Sequence, residues 1–461
     1  MSNEETNLRV SNQGIYDARS LGGGKVLLLG FQHMFAMFGA TVLVPALTGL
    51  SVSATLLFAG LGTLLFHLLS KGKVPAFLGS SFAFLGGYAA IAPMLADAQG
   101  NFTVPNKEML PYACFGVACA GLLYVVLSAL FKVFGAQKVM RFFPPIVTGP
   151  IIISIGLTLS SSAISNCSAN WWIALLAIAV VVICNIFGKG MIKIIPILLG
   201  VLVSYIVAAV TGQVDFTAVA EAPLFGLPFA YKDTVFSLLA SGSDKSMLIT
   251  AVVTIMPLAL ATMVEHIGDI SAISSTVGKN FIRDPGLHRT LLGDGLATAL
   301  AALFGAPANT TYGENTGVLA LSKVYDPLVI RLAAVLAILF SFSPKFSALV
   351  SAMPTATIGG VSLILYGMIS AVGVRNVVEN QVDFSKSRNI IIAALIMVLS
   401  IGINYGPGAI VFPVGSVTVS LSGLAVAALT GIILNAVLPG NDYEFEKHTD
   451  KTENPADLGR F

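Results

Sequence analysis

Fourteen apolar runs follow one another along this chain, and they restrict its fold more than any other feature. Most are about 17–25 residues long, the length that a helix needs to cross a bilayer. Only 10% of the residues are charged, against about 25% in soluble domains. The sequence therefore predicts an all-α polytopic membrane protein. The predicted transmembrane segments are residues 27–49, 53–70, 76–96, 110–132, 143–162, 171–188, 193–211, 247–268, 287–305, 310–323, 326–343, 352–370, 389–405 and 415–437.

The segments form two sets of seven on either side of a polar stretch. Similar glycine-rich segments lie at residues 60–63 in the first set and 293–298 in the second. Because seven is odd, the second set enters the membrane from the opposite side, so we expect two inverted repeats. The expected regions are a tail at 1–24, a first repeat at 25–211, an outer loop at 212–246, a second repeat at 247–437 and a tail at 438–461.

Lysine and arginine are distributed unevenly between the two sides of this topology. With the N-terminus in the cytoplasm, 21 of the 25 lie on the inner side, and the exceptions are Lys107, Lys232, Lys245 and Lys345. Cytoplasmic loops of membrane proteins carry such an excess of positive charge. We therefore expect a multi-pass protein of the cell membrane, with both termini in the cytoplasm.

Two of the segments are interrupted by polar residues at matching places in the two repeats. Residues 78–84 read LGSSFAF and residues 309–315 read NTTYGEN. The run 310–323 would be only ~21 Å long as a helix, which is short of the ~30 Å hydrocarbon core. Irregular backbone is tolerated at that depth only where protein buries it or where it lines a cavity. Paired interruptions of this kind predict the midplane binding site of a transporter.

Acidic side chains within the predicted segments are the strongest candidates for chemistry. They are Glu265, Asp269, Asp294 and Glu314. Glu265 and Asp269 are four residues apart and share one helix face. An unpaired acid costs ~2.5–3.5 kcal/mol or more at the bilayer centre, so these groups must face a cavity, accept hydrogen bonds or hold protons. A carboxyl group that loads and releases a proton is what a proton-coupled carrier needs.

Several of these acids also have a purely structural interpretation. Glu314 would be stabilised as a first-turn acid by the helix dipole. Glu265 would pin two helices by pairing with His33 or His266. Asp294 lies between two glycines and would cap a kink.

Other polar and aromatic residues surround the predicted site. The residues interpreted as a supporting network are Gln32, His33, His266, Asp294 and Asn315. Phe82 and Tyr312 lie at the two breaks, where an aromatic ring can stack on a flat ligand. Carboxylates accept hydrogen bonds from N–H groups, and freed backbone amides donate to carbonyl oxygens. A flat pyrimidine dione or oxidised purine therefore fits this site, whereas the acids would repel an inorganic anion.

No metal-ligand set and no nucleophile–base spacing stands out in the sequence, and the four cysteines lack metal-binding spacing. We therefore expect neither an enzyme nor a bound metal or cofactor, and no nucleic-acid partner.

Six ordered segments carry a family resemblance: 32–45 (QHMFAMFGATVLVP), 75–84 (PAFLGSSFAF), 265–268 (EHIG), 284–289 (DPGLHR), 309–315 (NTTYGEN) and 359–367 (GGVSLILYG). Through them, the sequence resembles the nucleobase–ascorbate transporter family, most closely its bacterial uracil permeases, over about residues 27–437. The resemblance implies a core of segments 1–4 and 8–11 and a gate of segments 5–7 and 12–14. It also implies short strands in the broken segments 3 and 10, and a homodimer whose cores move against its gates.

By position, the resemblance also implies roles for individual residues. Glu265 and Glu314 would accept the N–H groups of the base, and the backbone at Phe82 and Gly313 would meet its carbonyls. The pocket would be lined by Ala40, Tyr312 and Tyr366.

The resemblance leaves the substrate open between two classes of base. Where the familiar uracil permease has a histidine linked to proton coupling, this chain has Asp269, which resembles the purine-transporting members. Purine members usually carry glutamine at the position of Glu314. Because Glu314 should touch the base directly, uracil is favoured, with xanthine or another oxidised purine as the alternative.

We therefore expect a secondary transporter that imports uracil with a proton, in contact with membrane lipid. Asp269, Glu265 and His266 are its expected proton-coupling groups. A channel would need a continuous polar pore, whereas the polar residues cluster at one depth. An anion exchanger of similar inverted architecture should carry a cation at the half-helix ends, where this chain has acids.

Overall fold

The structure of the chain is a computed structural model that describes residues 14–96, 102–241, 243–414 and 417–440. Within these residues, seven helices are long and apolar enough to cross a membrane. A pair of helices bent by 89° is an eighth candidate, and three shorter apolar helices accompany them. The chain is thus a mostly helical membrane protein. Most of each predicted tail lies outside the described residues.

The first half of the chain is built mainly from helices. They are α1 (Gly23–Thr48), α2 (Val52–Leu69), α3 (Leu85–Ile91), α4 (Leu110–Phe134), α5 (Ala136–Met140), α6 (Pro145–Ser168), α7 (Trp171–Phe187), α8 (Met191–Ile194) and α9 (Pro196–Val210). The strands are β1 (Leu78–Ser80), β2 (Leu95–Ala96) and β3 (Phe102–Val104).

The second half has a similar composition. Its helices are α10 (Thr217–Glu221), α11 (Ser237–Ser241), α12 (Lys245–Ile255), α13 (Ala259–Val277), α14 (Leu287–Leu303), α15 (Gly313–Ser322), α16 (Pro327–Ser341), α17 (Pro344–Ser351), α18 (Thr355–Glu379), α19 (Ser387–Tyr405) and α20 (Gly423–Val437). Its strands are β4 (Asn309–Thr311), β5 (Ala409–Val414) and β6 (Val417–Ser422).

Capping residues explain several helix ends. Helix α2 begins after Ser51, whose hydroxyl accepts a hydrogen bond from the Ala54 amide. Helix α7 begins after Asn170, whose side chain accepts from the amides of Trp172 and Ile173. Such side chains satisfy amide groups that have no partner within the helix.

Helices from the two halves of the chain pack against one another. In one group, α14 packs on α2 and α4, and α16 packs on α1 and α2. In another, α18 packs along α6 and α7, and α19 packs on α6 and α20. The helices of each half therefore pack largely against helices of the other half.

Glycines allow the closest of these helix approaches. A Cβ atom on Gly121 of α4 would lie 2.6 Å from the carbonyl oxygen of Gly295 in α14. On the α6–α18 contact, a Cβ atom on Gly373 would lie 2.7 Å from the carbonyl oxygen of Gly149. Small residues let membrane helices approach in this way.

Strands β1 and β4 pair in an antiparallel manner and join the two halves at the interrupted segments. Leu78 is opposite Thr311, and Ser80 is opposite Asn309. Two threonines form hydrogen bonds with backbone groups of these strands. Thr63 Oγ1 of α2 accepts from the Leu78 amide at 2.9 Å, and Thr298 Oγ1 of α14 donates to the Asn309 carbonyl at 2.8 Å.

These threonines come from the glycine-rich segments 60–63 and 293–298. The same kind of side chain thus supports each strand from the preceding helix, and it satisfies backbone polar groups that the apolar surroundings would otherwise leave unpaired.

Three segments differ from the predicted ones. Residues 417–422 form strand β6 of a hairpin with β5 instead of the start of a helix, because Val417, Val419 and Leu421 alternate with hydroxyl residues. The predicted segment 326–343 is followed by a sharp bend into α17, which begins with Pro344 at its first position. Helix α13 extends to Val277, beyond the predicted end at 268.

Candidate functional site

Three acids from two helices converge beside the paired strands. Glu265 and Asp269 are one turn apart on α13, and Glu314 is in the first turn of α15. Helix α13 packs against α15, and Glu265 lies within electrostatic range of Glu314. All three side chains are partly buried. The structure thus brings together three of the four acids that the sequence singled out.

A threonine of strand β4 holds one of these acids. Thr311 Oγ1 donates a hydrogen bond of 2.7 Å to Asp269 Oδ2. The short pairing with β1 fixes Thr311, so the position of the carboxylate depends on the irregular backbone. A hydrogen bond of this kind to an ionised acceptor is stronger than one between neutral groups.

Tyr312 is fastened to the opposite strand. Its hydroxyl donates to the carbonyl oxygen of Ser80 at 2.8 Å, and Ser80 Oγ donates to the carbonyl oxygen of Thr41 at 2.8 Å. The ring covers Gly79, where a Cβ atom would clash with it. The buried Tyr312 ring therefore holds β1, β4 and α1 together.

The start of α15 faces open space. A Cβ atom added at Gly313 or Gly317 would meet no atom within 4 Å, and both glycines are exposed. Amide groups in the first turn of a helix have no partner within the helix. Beside Glu314, the end of α15 can thus offer hydrogen-bond donors and an acceptor to the same ligand.

Two of the predicted aromatic residues contact each other close to the end of strand β1. Phe82 and Tyr366 of α18 meet edge to face, with ring centroids 5.7 Å apart and an interplanar angle of 78°. Ala40 and Tyr312 belong to the same buried apolar cluster as these two rings. The four residues thus belong to one buried cluster, drawn from α1, α18 and the strand region.

His266 and Asp294 form a separate pair. Their side chains are fully buried, and His266 Nδ1 lies 3.3 Å from Asp294 Oδ2. They connect α13 to α14. Asp294 thus contacts a residue of a neighbouring helix. The partner of His266 is Asp294 and not Glu265, the pairing considered from the sequence.

A second polar contact connects α1 to α15. Asn315 Nδ2 donates to the carbonyl oxygen of His33 at 3.0 Å and lies 3.2 Å from His33 Nδ1. Gln32 is partly buried in the same turn of α1. By contacting Asn315, His33 therefore supports α15, the helix that carries Glu314.

Sequence reasoning missed several hydroxyl groups near the site. Thr311 was seen only as part of the break, and nothing pointed to its contact with Asp269. The hydroxyls of Ser162 in α6 and Ser362 in α18 neighbour that of Tyr366. Serines inside apolar segments were the available signal, but many such serines bond only to their own helix.

The arrangement suits recognition of a polar, uncharged ligand. Carboxylates accept from N–H donors and helix-end amides donate to carbonyl oxygens. Among the residues that the structure describes, no three His, Cys, Asp or Glu side chains gather as a group that could hold a metal ion.

Comparison with known proteins places the chain among transporters. Residues 24–409 match the model of a family described as "Permease family". The uracil permease of Bacillus caldolyticus is 40% identical over 442 residues, which cover 94% of this chain and 96% of that protein. The uracil permease of Bacillus subtilis (strain 168) is 40% identical over 425 residues, covering 88% and 91%.

A solved structure supports the fold. The transmembrane domain of the cyanobacterium bicarbonate transporter BicA superposes with a TM-score of 0.55 at 15% identity, covering 92% of this chain and 99% of that chain. At this identity the likeness concerns the fold alone. By the family model and the relatives, the chain is a permease rather than an enzyme, and it belongs to the nucleobase–ascorbate transporter family whose motifs its sequence carries.

Proposed function

We propose that this chain imports a nucleobase, with uracil as the preferred substrate, together with a proton. The observation that carries the proposal is the position of Glu265 and Glu314, which come from different helices and lie within electrostatic range beside an open helix end. The relatives named uracil permeases support the choice of substrate.

The ligand chemistry follows from the groups at the site. Two carboxylates accept hydrogen bonds from two N–H groups of a pyrimidine dione. The amides at the start of α15 and the backbone near Phe82 donate to its carbonyls. The Phe82 ring packs on a flat base, with Tyr366 edge-on behind it. Together these groups fit a neutral base, whereas the two carboxylates would repel an inorganic anion.

The proton is assigned to the acids of α13. Uracil is neutral, so membrane potential alone cannot concentrate it, and an ion must drive its uptake. Asp269 and Glu265 are one turn apart, and like charges at that distance favour a single shared proton. Thr311 holds Asp269 toward the strands. His266 lies on the same helix but faces Asp294 of α14. In this scheme it supports the position of α13, the helix that carries the two acids.

Alternating access completes the mechanism. We assign segments 1–4 and 8–11 to a moving core and segments 5–7 and 12–14 to a gate, in fourteen segments forming two inverted repeats. The matching threonines that support β1 and β4 favour the repeat. The packing of α14 on α4 and of α18 on α6 favours a division into two groups of helices. The proposed protein is a homodimer with cytoplasmic termini.

The test is uptake of labelled uracil by proteoliposomes containing the purified protein. Uptake should rise as external pH falls, collapse with a protonophore and be inhibited by uracil more strongly than by xanthine, hypoxanthine or ascorbate. Asp269→Asn should retain uracil binding but lose pH-dependent accumulation. Uptake that follows a sodium gradient and ignores pH would reject proton coupling, and stronger competition by xanthine would reassign the substrate.

A further inference from the structure

An apolar groove lies away from the site, between helices of the proposed core and gate. Its volume is about 590 Å³, and its walls include Val126 of α4, Met263 of α13 and Leu429 of α20. No acid of the candidate site lines it. The groove is therefore separate from the acids of the candidate site.

The groove opens toward the membrane. Of the residues that line it, Val126, Phe134 and Ile433 are 56%, 54% and 57% exposed. Exposed apolar side chains on membrane-spanning helices face lipid. The occupant must therefore be apolar where it touches these helices.

One end of the groove is positively charged. Every lining residue except Lys138 is apolar. Lys138 follows the end of α4, and Lys132 and Arg141 are exposed close by in the sequence. Within the described residues, the ion pairs of the protein involve none of these three cations. The groove thus combines a long apolar wall with an available cation at its end.

We propose that this groove binds one anionic phospholipid, with an acyl chain along α4 and α20 and the phosphate at Lys138. The volume falls in the range of ~300–1,000 Å³ that suits single small ligands. With the orientation proposed above, Lys138 faces the cytoplasmic leaflet, where anionic lipids create a negative surface potential.

The position of the groove connects the lipid to the proposed movement of the core against the gate. Helices α4 and α13 belong to the proposed core and α20 to the proposed gate, so the acyl chain lies on the boundary along which the two would slide. A bound lipid fills space that would otherwise be an apolar void.

The test measures bound lipid directly and does not depend on uracil transport, so its failure is distinct from failure of the proposed function. Full-length protein in detergent is mixed with equal phosphatidylglycerol and phosphatidylcholine, and retained lipid is measured by native mass spectrometry. We expect one phosphatidylglycerol per protomer. Lys138→Gln should lower its preference over phosphatidylcholine about fivefold, the effect of one cation near a membrane surface.

Two matched controls separate the groove from general attraction. Lys132→Gln removes an exposed cation that does not line the groove, so it should leave the preference nearly unchanged. Val126→Trp fills the groove and should abolish retention, whereas Leu122→Trp, one turn away and 55% exposed, should not. Melting curves of both tryptophan variants verify folding.

Equal retention of the two lipids would overturn the proposal. Equal effects of Lys138→Gln and Lys132→Gln would reduce it to diffuse attraction and overturn the site, as would full retention by a folded Val126→Trp variant. One lipid per dimer, instead of one per protomer, would assign the groove to an interface between two copies.

Discussion

The Thr311 hydroxyl donates a 2.7 Å hydrogen bond to Asp269 and joins strand β4 to helix α13. Thr311→Val keeps the side-chain shape but removes a donor that favours the ionised carboxylate. We expect the pH midpoint of uracil uptake to move upward, with uracil affinity reduced less than threefold. The measurement is initial uptake by proteoliposomes across a pH series.

Thr310→Val is the matched control for this change. Thr310 is the neighbouring strand residue, and its buried hydroxyl has no hydrogen-bond partner among the described residues. Its replacement should leave the pH profile in place. Identical profiles for wild type and Thr311→Val would disconnect this hydrogen bond from coupling.

Glu265 and Glu314 are expected to dominate uracil affinity. Alanine at either position removes a charge-assisted acceptor, at a cost of at least ~1.5–3 kcal/mol in binding free energy. Isothermal titration with uracil should show a loss of tenfold or more. Glu314→Gln should also weaken uracil binding and admit purines, because an amide offers a donor where the carboxylate only accepts.

The control for the glutamates is Glu379→Ala at the exposed end of α18, where Glu379 pairs with Arg375. It should bind uracil like wild type. Near-normal affinity in both Glu265→Ala and Glu314→Ala would remove these residues from the site.

Replacement of two glycines near the site by alanine should affect different properties, namely uracil affinity in one case and stability in the other. Gly313 faces open space, so Gly313→Ala should leave the melting temperature unchanged while its methyl group lowers uracil affinity. Gly79 lies beneath Tyr312 and beside Thr41, so Gly79→Ala should lower the melting temperature. The measurements that test this prediction are the melting temperature and the uracil affinity of each variant. Unchanged affinity in Gly313→Ala would place the ligand elsewhere.

The buried pair His266–Asp294 should matter more for stability than for binding. Asp294→Ala removes the buried carboxyl group 3.3 Å from the His266 imidazole, and the loss of a contact between buried polar groups costs ~1–3 kcal/mol. Thermal unfolding in detergent should show a clearly lower melting temperature. Asp294→Asn keeps an oxygen toward His266 and should lower the melting temperature less. Loss of proton coupling in an otherwise stable Asp294→Asn variant would instead give this pair a part in transport.

The ion pair of Lys73 and Asp284 predicts a modest acid sensitivity in the loops. Hydrogen bonding by the Lys73 ammonium lowers the pKa of the Asp284 carboxyl. Because the folded pKa is below the unfolded one, near 3.9 for aspartate, the contribution is complete above that value and is lost as pH falls through the folded pKa. Both side chains are largely exposed, so Asp284→Asn should cost at most ~1 kcal/mol.

Thermal unfolding at neutral and acidic pH tests this prediction. Wild type and Asp284→Asn should differ slightly at pH 7 and converge in acid. A difference that grows in acid would contradict the assigned sign.

Local sequence signals predicted the interrupted segments and three acids of the site. Glycine, serine, threonine and asparagine within apolar runs marked the breaks, and Glu314 was conspicuous because charge is rare at that depth. The contacts between breaks and helices could not be predicted in the same way. The partner of Asp269 lies 42 residues away, and only packing brings the two together.

Other differences arose where a pattern supported two structures. Residues 417–422 are apolar enough to extend α20, but their alternation favours a strand, and pairing with β5 decided the outcome. The pairing of His266 with Asp294 depends on how α13 and α14 turn toward each other. Helix periodicity alone could not distinguish it from a contact with Glu265.

The pairing of β1 with β4 has a consequence for the order of synthesis. Ser80 and its partner Tyr312 are 232 residues apart, so the ribosome finishes the first strand long before its mate exists. During that interval, the β1 backbone lacks its final hydrogen-bond partners, at a depth where unpaired amides are costly. The candidate site thus cannot form segment by segment during insertion; it is completed only once the second half has been delivered to the membrane.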